Sequence, residues 1–228
     1  MKRNQSGFTL IEIAIVLVII GLLLGGVLKG QELINSAKVK NLATDFRNIP
    51  VFIYGYQDKF RAIPGDDTAV VAHVIGTLAT TPATKQGNGV IDGLWDSLLN
   101  TDESYLFWQH VRMAGLASGQ TTVPAAPAVG DGYKPVNAGG GEIGIQSNNG
   151  TFVTITTNAA AAANTGMTGT YIICSKGILG KFVKQLDTTM DDGNTDTGSM
   201  RTADAATGKS ILTANIVEGQ AYTVCMGV

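Results

Sequence analysis

At 228 residues, 44% hydrophobic and only 15% charged, the chain has room for one membrane helix and one sizeable domain, and a second unrelated domain would be crowded. A formal net charge of −2, which becomes −4 if Lys2 and Arg3 are removed, excludes a general nucleic-acid surface. Richness in Gly, Ala and Thr suits an exported, loop-rich domain better than a cytosolic enzyme.

The chain opens with a short basic segment, Met1 to Gly7. From Phe8 to Leu28 follow 21 residues of which only Glu12 is charged. At about 1.5 Å per residue, a helix of that length crosses the roughly 30 Å hydrocarbon core of a bilayer. Basic residues ahead of the span set its N-terminus inside, so everything after about Lys29 is expected in the periplasm or outside the cell. Glu12 is the anomaly. A carboxylate in a membrane helix is costly without a partner, and none is read within a helical turn. An ordinary secretory signal is a poor fit, because the apolar run is too long and no A-x-A-like site follows it. An uncleaved anchor would leave Glu12 unexplained. Gly21, Gly25, Gly26 and Gly30 form small-xxx-small pairs, the pattern that lets membrane helices approach closely.

Beyond the span, Val39, Leu42, Phe46, Ile49, Ile53, Tyr56 and Phe60 alternate spacings of three and four, which predicts one apolar stripe facing a core. Pro50 lies within it and removes one helical hydrogen bond, so a kink near residues 46–50 is expected. The helix should end before Pro64-Gly65, in a turn through Asp66 and Asp67. Residues 77–93 read as loop and 102–116 as a second helix ended by Gly115 or Gly119. Residues 118–150, dominated by Gly, Pro, Ala and Asn, should be exposed. Strands are expected at 151–157, 169–174, 210–217 and 221–226. Ile178, Leu179, Phe182, Val183 and Leu186 predict a short amphipathic helix between the second and third of these.

Cys174 and Cys225 are the only cysteines, and on the oxidising side of a membrane an even count reads as a disulfide. Asp192, Asn194 and Asp196 alternate as calcium-loop ligands do. The glycine is misplaced for an EF-hand, however, with Thr197 at the sixth position and no Glu at the twelfth. An Asx-rich solvated turn is the alternative. The loop from Gln86 through Asn88 to Asp92 is a weaker cation candidate. Only His73 and His110 are available for imidazole chemistry, and no HExxH, GxSxG or Cys-His spacing accompanies them. His110, beside Trp108, reads as a hydrogen-bonded structural group. The adjacent acids Asp66 and Asp67, and Asp191 and Asp192, read as solvated turn faces. No residue pattern points to an enzyme.

Gly7-Phe8-Thr9-Leu10-Ile11-Glu12, with its basic leader and apolar run, closely resembles the processing site of type IV prepilins and of type II secretion pseudopilins. The resemblance implies cleavage after Gly7 and methylation of the new Phe8 amine by a membrane-embedded peptidase. It also implies that Glu12 accepts the charge of that amine from a neighbouring subunit. Ile63-Pro64-Gly65-Asp66, the GNG at 87–89, Trp108-x-His110 and Leu186-Asp187 through Asn194 to Arg201 are similar, more loosely, to one subgroup of pilin-like proteins. Family helices often carry a proline near the outer end of the span; here only glycines stand there.

The expected fold is α+β, a long N-terminal membrane and spine helix on an antiparallel-sheet head. Its parts are a leader (1–7), a membrane half-helix (8–28), a periplasmic half-helix (29–62) and a head (63–228). The implied function is a structural filament subunit. Its partners are copies of itself, the prepilin peptidase and methyltransferase, the inner-membrane assembly machinery and the membrane, with no required cofactor. The two C-terminal cysteines favour a type IV pilin over a pseudopilin. A membrane-anchored calcium-binding module is the reading from another class.

Overall fold

The computed structural model describes residues 9–148, 166–204 and 210–228. It divides into two compact units, Met1–Lys38 and Val39–Val228. Helix α1 (Leu10–Phe60) begins in the first unit and supplies the opening helix of the second. In the first unit its large apolar side chains are uncovered, from Leu10 and Leu17 to Leu24 and Leu28. Lys29 and Glu32 pair at 2.7 Å on its exposed surface.

In the second unit the predicted stripe is a core face. Val39, Leu42, Phe46, Ile49, Ile53 and Tyr56 are all buried, and Phe60 is half-buried. Each such Phe, Ile or Leu contributes about 1.5–3 kcal/mol by leaving water. The helix runs through Pro50 and ends at Phe60, where Arg61 turns left-handed with φ 57°.

The other elements are α2 (Val70–Val74), α3 (Glu103–Met113), β1 (Ile143–Ser147), β2 (Tyr171–Leu179), α4 (Gly180–Met190), β3 (Met200–Asp204) and β4 (Ala221–Gly227). The strands form one antiparallel sheet in the order β1-β2-β4-β3. Residues of α1, α3, α4 and all four strands share one apolar core. Helix α3 is buried from Glu103 to Arg112, so it lies inside the unit rather than on it. Helix α4 buries Phe182, Val183 and Leu186, the amphipathic pattern read from the sequence, while Ile178 and Leu179 belong to the end of β2.

Cys174 and Cys225 face each other in the β2–β4 register and form a disulfide. Both are buried, with Trp95, Met167, Ile172 and Ala203 around them. At the β1 edge, Glu142 joins Lys134 at 3.2 Å and Lys176 at 3.1 Å. Its carboxyl is buried, which alone would raise it, yet the Gly130 N–H and the two ammonium groups hold it below the usual range.

The structure corrects several expectations. Residues 118–150 are not uniformly exposed, because they contain β1, all of it buried, and the fully buried Tyr133. The expected strand at 210–217 is instead an isolated bridge at Ser210 and a 3-10 turn at Thr213–Asn215. The strand that follows the disulfide-bearing β2 is β3, which the sequence did not announce. The expected strand at 151–157 lies outside the described residues. Asp66 and Asp67 are buried rather than solvated, at 5% and 2% exposure.

Candidate functional site

The first turn of α1 is a reciprocal cap. The Thr9 backbone N–H donates to Glu12 Oε2 at 2.8 Å, and the Thr9 hydroxyl donates to the same oxygen at 2.7 Å. In return the Glu12 N–H donates to Thr9 Oγ1 at 3.3 Å. This is the S/T-x-x-E capping box, which satisfies amide donors that a helix start leaves open. The expectation that Glu12 lacks a partner within a helical turn is therefore corrected: Thr9 is that partner, and it is neutral. The signal was present in the sequence as Thr9-x-x-Glu12. Glu12 Oε1 accepts no hydrogen bond among the described residues, and the side chain is exposed. One carboxylate oxygen is thus fixed by the helix start and the other is open to an incoming cation.

Past that turn, α1 contains a stretch long and apolar enough to cross a membrane. A Cβ added at Gly21, Gly25, Gly26 or Gly30 would meet nothing within 4 Å, so this surface is free within the chain. Gly7 and Phe8, expected to flank the cut, lie outside the described residues.

The remaining chemistry-bearing side chains serve the second unit. His110 is buried; it accepts from the Gly65 N–H through Nδ1 at 2.9 Å, and its Nε2 stands 2.8 Å from the Thr77 carbonyl. The Gly65 donor leaves Nδ1 without a proton, so Nε2 carries it, and burial lowers the tendency of the ring to charge. Asp67 accepts from Tyr56 Oη at 2.7 Å and from the Ala69 N–H at 2.9 Å, and it pairs with His73 at 2.7 Å. That cluster ties α1 to α2. Asp66 accepts from the backbone N–H groups of Gly87, Asn88 and Gly89. The GNG loop is thereby a cradle for a carboxylate of this chain, which accounts for its form without a cation.

Asp192 is similarly occupied. Its Oδ1 accepts from the Asn194 N–H and its Oδ2 from the Thr197 hydroxyl, each at 2.8 Å, and these bonds hold its carboxyl below the usual range. Asp191 Oδ2 accepts from the Met200 N–H at 2.7 Å. Among the described residues no three His, Cys, Asp or Glu side chains converge as a metal site. Asp192 and the Asn194 N–H make an Asx turn.

Residues 2–28 match the family model described as Prokaryotic N-terminal methylation motif. Comparison with curated proteins and with solved structures gives no match. The motif, the long apolar helix and the α+β head on a four-stranded antiparallel sheet together support a type IV pilin- or pseudopilin-like prepilin.

Proposed function

We propose that this chain is a structural subunit of a type IV pilus-like filament, cleaved after Gly7, N-methylated at Phe8 and assembled through α1. The observation that carries the reading is the first turn of α1, where Glu12 offers an open carboxylate oxygen at the head of an uncovered apolar helix. Before assembly the apolar half of α1 anchors the chain in the inner membrane, with the N-terminus cytoplasmic. In the filament the same surface packs against copies of itself, so removal from lipid and water is offset by helix-helix contact and by the bare glycine face. Each new N-terminal amine needs a counter-charge once it enters that bundle, and Glu12 of a neighbour supplies it only at one stagger. Charge pairing then sets register while apolar packing supplies the energy. The prepilin peptidase and the inner-membrane assembly machinery are the partners this pathway requires.

The Cys174–Cys225 bridge favours a type IV pilin over a type II secretion pseudopilin on the family resemblance. Motif and fold indicate a structural protein rather than an enzyme.

The test is to express Glu12→Ala and Glu12→Gln with the native assembly machinery and to compare membrane level with sheared filament. Glu12→Ala should keep or raise the membrane level, because it removes a charge from the span, and should lose filaments. Glu12→Gln should fall between. Normal filaments from Glu12→Ala would sink the pairing, and loss of the protein from the membrane would point to a stability role instead.

A further inference from the structure

A cleft of about 190 Å³ opens in the second unit between α1, α3 and the chain leading into β1. Asp45 and Arg112 both line it, yet these opposite charges form no ion pair. Ile49, Phe52 and Ile143 supply apolar wall. Such an arrangement is unusual in a resting surface, because a carboxylate and a guanidinium in one small cleft gain by meeting unless something belongs between them.

Both charged groups at the cleft are incompletely used. Asp45 is half-buried and makes no hydrogen bond or ion pair among the described residues. Loss of water pushes its carboxyl up to about 6, the cost of standing there alone. Arg112 spends Nε on the Ser118 carbonyl at 3.2 Å and Nη1 on the Gln120 carbonyl at 2.9 Å. Its Nη2 makes no hydrogen bond among the described residues. The Trp108 and Tyr133 rings hold the guanidinium in place, with ring centroids 5.8 and 5.2 Å from its carbon. The cation is therefore fixed by the fold while part of it remains available.

We infer that this cleft is a binding site for a small zwitterion with an apolar body, of the size of a free aliphatic amino acid. An ammonium would meet Asp45, a carboxylate would meet Arg112 Nη2, and a branched side chain would lie on Ile49, Phe52 and Ile143. A cation alone would leave Arg112 Nη2 open, and an anion alone would leave Asp45 stranded. A ligand with both ends answers the two charges together. The volume agrees: a cavity of about 150 Å³ holds a benzene-sized molecule.

The experiment is isothermal titration of the full chain in detergent with three probes: L-leucine, 3-methylbutylamine and 4-methylpentanoate. These carry both charges, the cation alone and the anion alone on one carbon skeleton. L-leucine should bind with a Kd on the order of a millimolar or below, within what so few atoms supply. The other two should bind at least tenfold more weakly. Asp45→Asn, which breaks no bond within the fold, should weaken L-leucine tenfold or more and leave the weak 4-methylpentanoate binding unchanged or stronger. No heat from L-leucine would overturn the inference. So would equal binding of all three probes, or L-leucine binding unaffected by Asp45→Asn.

Discussion

Thr9 and Glu12 hold each other at the first turn of α1, with two donors from Thr9 converging on one oxygen of Glu12 and the amide of Glu12 returning to the Thr9 hydroxyl. The carboxylate proposed to meet a neighbouring subunit's amine is thus also part of the N-terminal cap of α1. The cap and the proposed pairing are compatible because they use different oxygens. They also give different mutational signatures.

Thr9→Ala removes the hydroxyl from the box while keeping the charge of Glu12. The carboxylate should then keep the residue 9 N–H but lose the hydroxyl, so it is held less firmly while its attraction for an amine remains. Filament yield should fall less than in Glu12→Ala, and Thr9→Ser should restore it, since serine offers the same hydroxyl. Quantifying sheared filament against membrane-held protein for the three variants checks this ordering. Equal losses in Thr9→Ala and Glu12→Ala would mean that the cap, not the charge, is what assembly needs.

Cys174 and Cys225 are partners in the β2–β4 ladder, 51 residues apart in sequence. Closing a loop of that length restricts the unfolded chain by roughly 4 kcal/mol in the loop-entropy model. The double variant Cys174→Ala with Cys225→Ala should still pair β2 with β4 but melt at a clearly lower temperature. Non-reducing peptide mapping of the parent should recover the two cysteines linked. A melting curve that does not move on reduction would contradict the stabilising role.

Glu103 is fully buried at the start of α3, and its Oε2 accepts from the Asp92 N–H at 2.8 Å. Burial, followed by the charges of Asp66 and Asp92, pushes its carboxyl well above the ordinary value of 4.5. Glu103 therefore keeps its proton well above the pH at which an ordinary glutamate releases it. The folded protein therefore holds a proton that the unfolded chain releases near the ordinary value. The stability it confers is complete below that value and is lost as pH rises through the raised one. Thermal melts from about pH 5 to about pH 9 should show the parent losing stability with a steeper slope than Glu103→Gln, whose amide cannot ionise. Parallel slopes would place the proton elsewhere.

What the sequence revealed follows from what a one-dimensional pattern can carry. The stripe from Val39 to Tyr56 was legible because a helix buries one face at a fixed period, and β4 because its Tyr222, Val224 and Met226 alternate inward. Strand β1 was hidden by Gly144, which lowers strand propensity yet is required there, since a Cβ would strike the Trp95 carbonyl. Strand β3 was hidden by Arg201 and Asp204, charged residues held by the ladder to β4. Residues 210–217 misled in the opposite sense. Their Ile211 and Val217 favour a strand, but Thr213 is engaged in bonding Thr195 across the fold. The burial of Asp66 depended on amides 21 to 23 residues away, a relation that no local window contains. The cap at Thr9 was legible all along in the T-x-x-E spacing.

The central claim is that the chain is matured at its N-terminus and joins a filament through α1. Intact-mass analysis of the protein from a native membrane with a competent prepilin peptidase reports cleavage and methylation in one spectrum. The account predicts a species that lacks residues 1–7 and carries one methyl group on the Phe8 amine, with Gly7→Ala accumulating the full-length precursor. A parent protein whose mass still begins at Met1 would contradict it.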